Sequence, residues 1–138
     1  MIKVYVDGSY NNSRQLTGWG FVVVKDGTLI HKNSGVITDK DVTSMHQVGG
    51  ELMASMEAIW YCKCNSLKDV TIVYDYKGVE DWVTGAWKCK KKVTQYYKEY
   101  MNLAKQFVDY KFEKVKSHSG DKHNDMADKL AKSACGVI

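Results

Sequence analysis

Three strand patterns in a row open the chain, and this arrangement limits the folds that it can adopt. Apolar residues alternate with polar ones over 2–7, and a run rich in β-branched and aromatic residues covers 18–24. A third strand pattern covers 28–36, directly after Lys25-Asp26-Gly27, whose Asp-Gly pair is typical of a hairpin turn. Three consecutive strands with short connections predict an antiparallel meander.

Helix and strand patterns alternate through the rest of the chain. Helical patterns cover about 44–64, 77–84, 94–108 and 121–134, and strand patterns cover 70–74 and 111–116. We expect Thr43 or Ser44 to cap the first helix, and Asp121 or Asn124 to open the last. The order β-β-β-α-β-α-α-β-α predicts an α/β fold in which helices flank a mixed five-stranded sheet, with the fourth strand parallel to the first.

Length and composition restrict the class of protein. The 138 residues are expected to form one domain over 1–138, without a signal peptide because a strand pattern begins at Ile2. The net charge of +4 is compatible with a polyanionic partner but too small to identify one. Four cysteines without a C-x-x-C pair indicate reduced thiols in a cytoplasmic protein, and no apolar run is long enough for a membrane span.

Two acidic residues directly follow strand patterns. Asp7 is expected to end the first strand and Asp75 the fourth. By itself the Asp7-Gly8 pair is more often part of a turn, so a single acid of this kind is weak evidence for a site. Ligands of α/β proteins, however, bind at the carboxyl ends of the strands, and two parallel neighbours would bring these two acids together there.

Two acids on helices extend this set. Glu51 follows Gly49 and Gly50, and the paired glycines indicate a close approach of another backbone or a ligand. Asp128 lies among the expected core positions of the last helix and should face the sheet. Each acid alone is more often solvent-exposed, but converging carboxylates repel one another unless cations neutralise them. Oxygen ligands without a Cys or His pattern favour Mg²⁺ or Mn²⁺ over zinc and fit two-metal phosphoryl chemistry.

Short motifs surround each of the four acids. They are Asp7-Gly8-Ser9, Glu51-Leu52-Met53-Ala54, the strand-ending Asp75, Val115-Lys116-Ser117-His118-Ser119-Gly120, Asn124 and Asp128-Lys129-Leu130-Ala131. Together they resemble type 1 ribonuclease H over about 2–134. Gly49-Gly50-Glu51, Tyr74-Asp75-Tyr76 and Trp82-x-x-Gly85-x-Trp87-Lys88 look closer to a branch of low-GC Gram-positive bacteria and phages that has no separate hybrid-binding domain.

The resemblance implies an endonuclease that uses two Mg²⁺ ions, for which Mn²⁺ can substitute. It would cut the RNA strand of RNA–DNA hybrids and leave 3′-hydroxyl and 5′-phosphate ends. By the same resemblance Asp7 bridges both ions, Glu51 and Asp75 hold one, and Asp128 helps to hold the other. His118, on a loop that contains glycine, is expected to assist proton transfer or product departure. The implied partner is the hybrid duplex, bound by a monomer that needs no protein partner and no membrane.

A further group of residues is expected to contact the hybrid. Lysines alternate with aromatic residues after the short helix; such a run is usually a solvated loop, but its position in the family makes phosphate contact an equal alternative. The expected substrate contacts are Gly8, Ser9, Tyr10, Gln47, Trp82, Trp87, Lys88, Lys90, Lys91 and Asn124. Two positions depart from the family pattern, Tyr76 where Ser is common and Gln47 where Asn is common, and both leave the acids intact.

Two other functions fit the same residues. A non-catalytic nucleic-acid-binding module of this fold would be expected to lack at least one of the four acids, and all four are present. A related two-metal DNA nuclease fits less well, because of the His118-Ser119-Gly120 loop and the small size of the chain. His46 and His123 have no motif around them and are interpreted as surface residues.

Overall fold

The computed structural model describes residues 1–116 and 120–138. The strands are β1 (Ile2–Asn11), β2 (Leu16–Lys25), β3 (Thr28–Ile37), β4 (Asp69–Tyr74) and β5 (Asp109–Lys114). The helices are α1 (Lys40–Thr43), α2 (Gln47–Cys64), α3 (Gly78–Thr84), α4 (Lys92–Ala104) and α5 (Lys122–Ala134). Among these helices none combines the length and the apolar character that a membrane span requires.

The sheet is mixed, with the strand order β3-β2-β1-β4-β5. The β1–β2 and β2–β3 pairs are antiparallel, whereas the β1–β4 and β4–β5 pairs are parallel. The predicted hairpin is present, because Asp26 and Gly27 both have positive φ angles, 50° and 84°, as a two-residue turn of type I′ requires. The predicted α/β class, the five strands and the parallel fourth strand are therefore confirmed.

Helices cover both faces of the sheet. On one face, alternate strand residues such as Val4 and Ile72 lie in a core that α2, α3 and α4 complete. Leu52 and Ile59 of α2 are almost fully buried in this core, and each contributes about 1.5–3 kcal/mol by leaving water. On the other face α5 packs on the sheet through Ala127. The two layers place the ends of α2 and α5 on opposite sides of β1.

The prediction that the first strand ends at Asp7 is wrong. β1 continues to Asn11, because its pairing with β2 runs on from Asp7 opposite Gly20 to Asn11 opposite Leu16. Its pairing with β4, however, ends at Tyr5. Asp7 therefore does not belong to a turn; it stands on a strand just beyond the point where one of the two neighbouring strands has stopped.

The helix that carries Glu51 begins later than predicted. A separate short helix, α1, ends at Thr43, and α2 begins at Gln47 without a side-chain cap from Thr43 or Ser44. The break occurs at His46, whose φ angle of 56° is incompatible with a continuous helix. At the other end of the chain Asp121 caps α5, since its carboxylate accepts hydrogen bonds from two backbone N–H groups of the first turn.

Candidate active site

Glu51 is a buried acid held by backbone groups. The residue is only 3% exposed, and its two carboxylate oxygens accept hydrogen bonds from the N–H groups of Asp75, at 3.2 Å, and Tyr76, at 2.9 Å. Burial, and then the charge of Asp7, raise the pKa of Glu51 to about 8, although these two hydrogen bonds act in the opposite direction. A buried acid with such a pKa is stabilised in its charged form by a cation.

Glycines let α2 approach β1 backbone to backbone. A Cβ atom on Gly8 would overlap the carbonyl oxygen of Gln47 and the amide nitrogen of Glu51, and one on Gly50 would overlap the carbonyl oxygen of Gly18. A Cβ atom on Gly49 would overlap the carbonyl oxygen of Val42. The close approach predicted from the two glycines is confirmed, and it brings the helix that carries Glu51 onto the strand that carries Asp7.

Asp7 and Asp128 meet on the other side of β1. The Asp7 carboxylate accepts a hydrogen bond from the N–H of Gly8 at 2.8 Å. Burial raises the pKa of Asp7, the hydrogen bond from Gly8 lowers it, and the Asp128 carboxyl, which lies within hydrogen-bonding reach, and the charge of Asp75 raise it, to about 7 in all. Two carboxylates this close repel each other when both are ionised. The pair is therefore favourable only with one proton or one cation between its members.

Asp128 itself carries a basic partner. Its Oδ2 lies 3.0 Å from the Nζ of Lys132, one turn further along α5, and the Asp128 side chain is 20% exposed. The prediction that Asp128 faces the sheet is confirmed. Sequence reasoning missed Lys132, although the spacing of four residues between an acid and a lysine on a helix was a usable signal.

Asp75 completes the group directly after β4, as predicted. Its backbone N–H donates a hydrogen bond to the Glu51 carboxylate, and its charge raises the pKa values of both Glu51 and Asp7. The four acids thus surround one end of the β1–β4 pair.

The spacing of these acids is wider than that of a closed metal site. Within 1–116 and 120–138, no three Asp, Glu, His or Cys side chains are close enough together to hold a metal ion as they stand. The donors are all hard carboxylate oxygens with raised pKa values at two of them, which suits Mg²⁺ or Mn²⁺.

Residues expected near the substrate lie at both sides of this acidic group. Ser9 is buried, Tyr10 is half-buried and Gln47 is exposed at the first position of α2. Asn124, only 7% exposed, is in the first turn of α5. His118 lies outside the described residues, so its predicted role stays a prediction.

His46 is a surface residue, as predicted, and its ring makes a contact that the sequence does not indicate. Its ring stacks on that of Tyr10, with the ring centres 4.3 Å apart and the planes inclined by 27°. Its carbonyl oxygen accepts a hydrogen bond from the hydroxyl of Thr17 at 3.3 Å. No motif in the sequence indicates this pairing, because it depends on how α2 docks on β1 and β2.

Three aromatic side chains form a cluster beside Asp75. Tyr76, Trp82 and Trp87 have ring centres 5.5–5.9 Å apart, two of the three pairs in edge-to-face geometry. The tyrosine that departs from the family pattern is thus one of the three members. Lys88, Lys90 and Lys91 follow on the exposed surface. In the structure the aromatic residues of this stretch thus lie together next to the acids, and the lysines lie beyond them on the surface.

Comparison with known proteins shows the family to which the chain belongs. The ribonuclease H family model matches residues 1–136. A ribonuclease H of Ruthia magnifica subsp. Calyptogena magnifica is 34% identical, over 99% of this chain and 97% of that protein. One of Syntrophomonas wolfei subsp. wolfei is 30% identical, over 96% and 94%. The chain therefore belongs to the ribonuclease H family.

Solved structures share the fold at low sequence identity. Ribonuclease H1 from the halophilic archaeon Halobacterium salinarum NRC-1 has a TM-score of 0.82 and 20% identity, covering 99% of this chain and 98% of that one. LC11-RNase H1 in complex with an RNA/DNA hybrid has the same TM-score at 18% identity and the same coverage. The resemblance to ribonuclease H is confirmed, and the finer placement in a Gram-positive and phage branch stays a prediction.

Proposed function

We propose that this ribonuclease H is a Mg²⁺-dependent endonuclease that hydrolyses the RNA strand of RNA–DNA hybrids and leaves 3′-hydroxyl and 5′-phosphate ends. The observation that carries the proposal is the convergence of Asp7, Glu51, Asp75 and Asp128 on one end of the β1–β4 pair, with raised pKa values at Asp7 and Glu51. Such a group gains stability from bound divalent cations, and the family assignment supplies the reaction.

Each acid has a proposed role in holding two Mg²⁺ ions, or Mn²⁺ in their place. Asp7 would bridge both ions, Glu51 and Asp75 would hold one, and Asp128 would help to hold the other. When bound, such ions activate water and stabilise the charge that develops on phosphoryl oxygens. The two N–H bonds to Glu51 fix its carboxylate and limit its rotation. His118 is proposed to assist proton transfer or product departure.

The hybrid is the proposed substrate because a structure of the same fold, LC11-RNase H1, is described in complex with one. Gly8, Ser9, Tyr10 and Gln47 lie beside the acids and are proposed to meet the strand that is cut. Selection of RNA there would depend on the 2′-hydroxyl and on the shape of the minor groove. Asn124, in the first turn of α5 and buried close to the sheet, is proposed to meet the same strand.

The aromatic cluster and the lysines are proposed to hold the duplex away from the acids. Trp82 and Trp87 offer apolar faces, and Lys88, Lys90 and Lys91 offer exposed charges that contact phosphates without reading sequence. If three lysines act in this way, the logarithm of the binding constant should fall with the logarithm of salt concentration with a slope of about −3.

The smaller predictions complete the proposal. We propose that the protein acts in the cytoplasm as a monomer that needs no protein partner. The four cysteines are free thiols, two of them buried, which is compatible with a reducing compartment. Size-exclusion chromatography coupled to light scattering checks the monomer; a dimer at the concentrations used in assays would contradict it.

A single cleavage assay tests the function. Labelled RNA–DNA hybrid, duplex DNA and duplex RNA are incubated with the protein in Mg²⁺, and we expect cleavage of the RNA strand of the hybrid only. Asp75→Asn should abolish it with the fold retained, while Asp69→Asn, at the opposite end of β4, should leave it intact. Binding without cleavage would indicate a non-catalytic module, and cleavage of duplex DNA would indicate the related DNA nuclease.

A further inference from the structure

Lys132 is a basic residue placed directly against the acidic group. Its Nζ lies 3.0 Å from the Oδ2 of Asp128, and the side chains are 35% and 20% exposed, so water screens this pair only in part. Within 1–116 and 120–138, no salt bridge connects another lysine or arginine to Asp7, Glu51 or Asp75. Among the described residues, a lysine is therefore paired with one of the four acids only on the α5 side of the group.

The position of Lys132 is fixed by contacts that reach back to β1. Its carbonyl oxygen accepts a hydrogen bond from the N–H of Val137 at 2.9 Å. Cys135, three residues further on, is buried, and its carbonyl oxygen accepts a bond from the side-chain amide of Asn11 at 2.9 Å. The end of α5 is thereby attached to the same strand that carries Asp7, so the lysine and the carboxylates belong to one connected unit.

The charge of Lys132 has opposite effects in the two states of the site. Without a divalent cation it offsets the repulsion between Asp128 and Asp7. With a cation at Asp128 it adds a positive charge close to a positive ion, and the carboxylate must be shared or released. An ion pair of this kind stabilises the empty site at the expense of the filled one.

We propose that Lys132 is a counter-ion built into the α5 side of the site, which balances Asp128 in the cation-free protein and lowers the affinity of that side for divalent cations. The proposal rests on the proposed function, since it concerns the cations that the four acids would hold. It makes Lys132 a residue that sets the concentration of Mg²⁺ at which the site fills, acting through Asp128 rather than on the substrate.

The test compares two charge-equivalent variants of one helix. Lys132→Gln removes the paired lysine, and Lys129→Gln removes a neighbouring exposed lysine that has no salt bridge among the described residues. Mg²⁺ alone is titrated into each protein by calorimetry at low salt, without substrate. We expect Lys132→Gln to bind Mg²⁺ about 3- to 10-fold more tightly than wild type, and Lys129→Gln to change the affinity by less than about 2-fold.

A second measurement uses the cation-free protein. Thermal unfolding in EDTA should give a lower midpoint for Lys132→Gln than for Lys129→Gln, and this difference should vanish when Asp128→Asn is present in both. Equal Mg²⁺ affinities in the two glutamine variants, weaker binding by Lys132→Gln, or an unfolding difference that persists with Asp128→Asn would each overturn the proposal.

The hybrid cleavage assay separates this proposal from the proposed function. If wild type cleaves hybrid in Mg²⁺ while both glutamine variants bind the ion equally, the counter-ion proposal is wrong and the function stands. If wild type neither cleaves nor binds Mg²⁺, the proposed function fails and the effect of Lys132 on cation affinity fails with it. Tighter Mg²⁺ binding by Lys132→Gln in a protein that cleaves hybrid supports both.

Discussion

The two sides of the acidic group are built by different means. On the α2 side, Glu51 is almost completely buried, and backbone N–H groups hold it while glycines bring the helix against β1. On the α5 side, Asp128 is partly exposed and is held by the side chain of Lys132. Backbone contacts cannot be altered by one point mutation without moving the helix, whereas a side-chain ion pair can. The first side is therefore fixed, and the second can be tuned.

The largest effect should come from neutralising the fixed side. Glu51→Gln is expected to lower kcat/KM for hybrid cleavage by about 10³-fold or more, because the enclosed position leaves little space for water to replace a lost cation ligand. Asp128→Asn should cost less, about 10²-fold, since the more open side admits water. Steady-state kinetics in saturating Mg²⁺ measure both. Equal losses in the two variants would remove the proposed difference between the sides.

Separating α2 from β1 should have the next largest effect. Gly8→Ala places a Cβ atom against backbone atoms of Gln47 and Glu51, so we expect a loss of about 3 kcal/mol in the free energy of unfolding, together with most of the activity. Gly27→Ala is the control, because its Cβ meets no atom and only the positive φ angle costs about 1 kcal/mol. Urea unfolding measures both; a similar cost for the two variants would contradict the close approach.

The pH dependence of the cation-free protein distinguishes the two sides in another way. The pKa values of Glu51 and Asp7 rise on folding, from 4.5 to about 8 and from 3.8 to about 7. The folded state then binds more protons than the unfolded one between about pH 4 and pH 8. Stability in EDTA should therefore be highest at the acidic end of this range and fall by several kcal/mol as the pH rises through it.

A substitution and a metal ion test whether Glu51 and Asp7 cause this decline, by urea unfolding at several pH values. Glu51→Gln should remove about half of the decline, because the rise in the pKa of Asp7 is nearly as large as that in the pKa of Glu51. Mg²⁺ should restore stability at pH 8. A stability that rises with pH in EDTA, or a decline that survives Glu51→Gln together with Asp7→Asn, would show that these acids do not control it.

The smallest effect is expected outside the acidic group. Replacing Lys88, Lys90 and Lys91 together by Gln should weaken hybrid binding and reduce the salt slope by about 3, while kcat at saturating hybrid stays within about 2-fold. Binding is measured by fluorescence anisotropy in Ca²⁺ at several salt concentrations. An unchanged slope would show that these lysines are only a solvated surface.

Local sequence patterns predict most of the helices and strands and the elements on which the four acids lie. The alternation in β1, the Asp-Gly turn and the strand before Asp75 are short-range signals, and the structure agrees with each. The length of β1 was not predictable in this way, because Gly8 interrupts the pattern while pairing with β2 continues past it. The break at His46 also depends on distant partners, since Thr17 of β2 binds its carbonyl group.

The electrostatics of the site were predictable only in part. That carboxylates would converge followed from the strand order, but the two N–H donors to Glu51 follow from the path of the chain after β4. Main-chain groups carry no signature in a sequence. Lys132 differs, because it follows Asp128 by four residues on a predicted helix, and this spacing alone predicts an ion pair.

The early end of the β1–β4 pairing has a consequence for how this protein can change over evolution. Asp7 lies beyond Tyr5, the last β1 residue paired with β4, and is positioned instead by β2, α2 and α5. Insertions and deletions in the connection between α3 and α4 would leave that support untouched, so they would alter the proposed duplex contacts of Trp87 and the lysines without moving Asp7. A residue gained or lost within β1 or β2, between the turn at 12–15 and the Asp7–Gly20 pair, would instead shift the register that places Asp7.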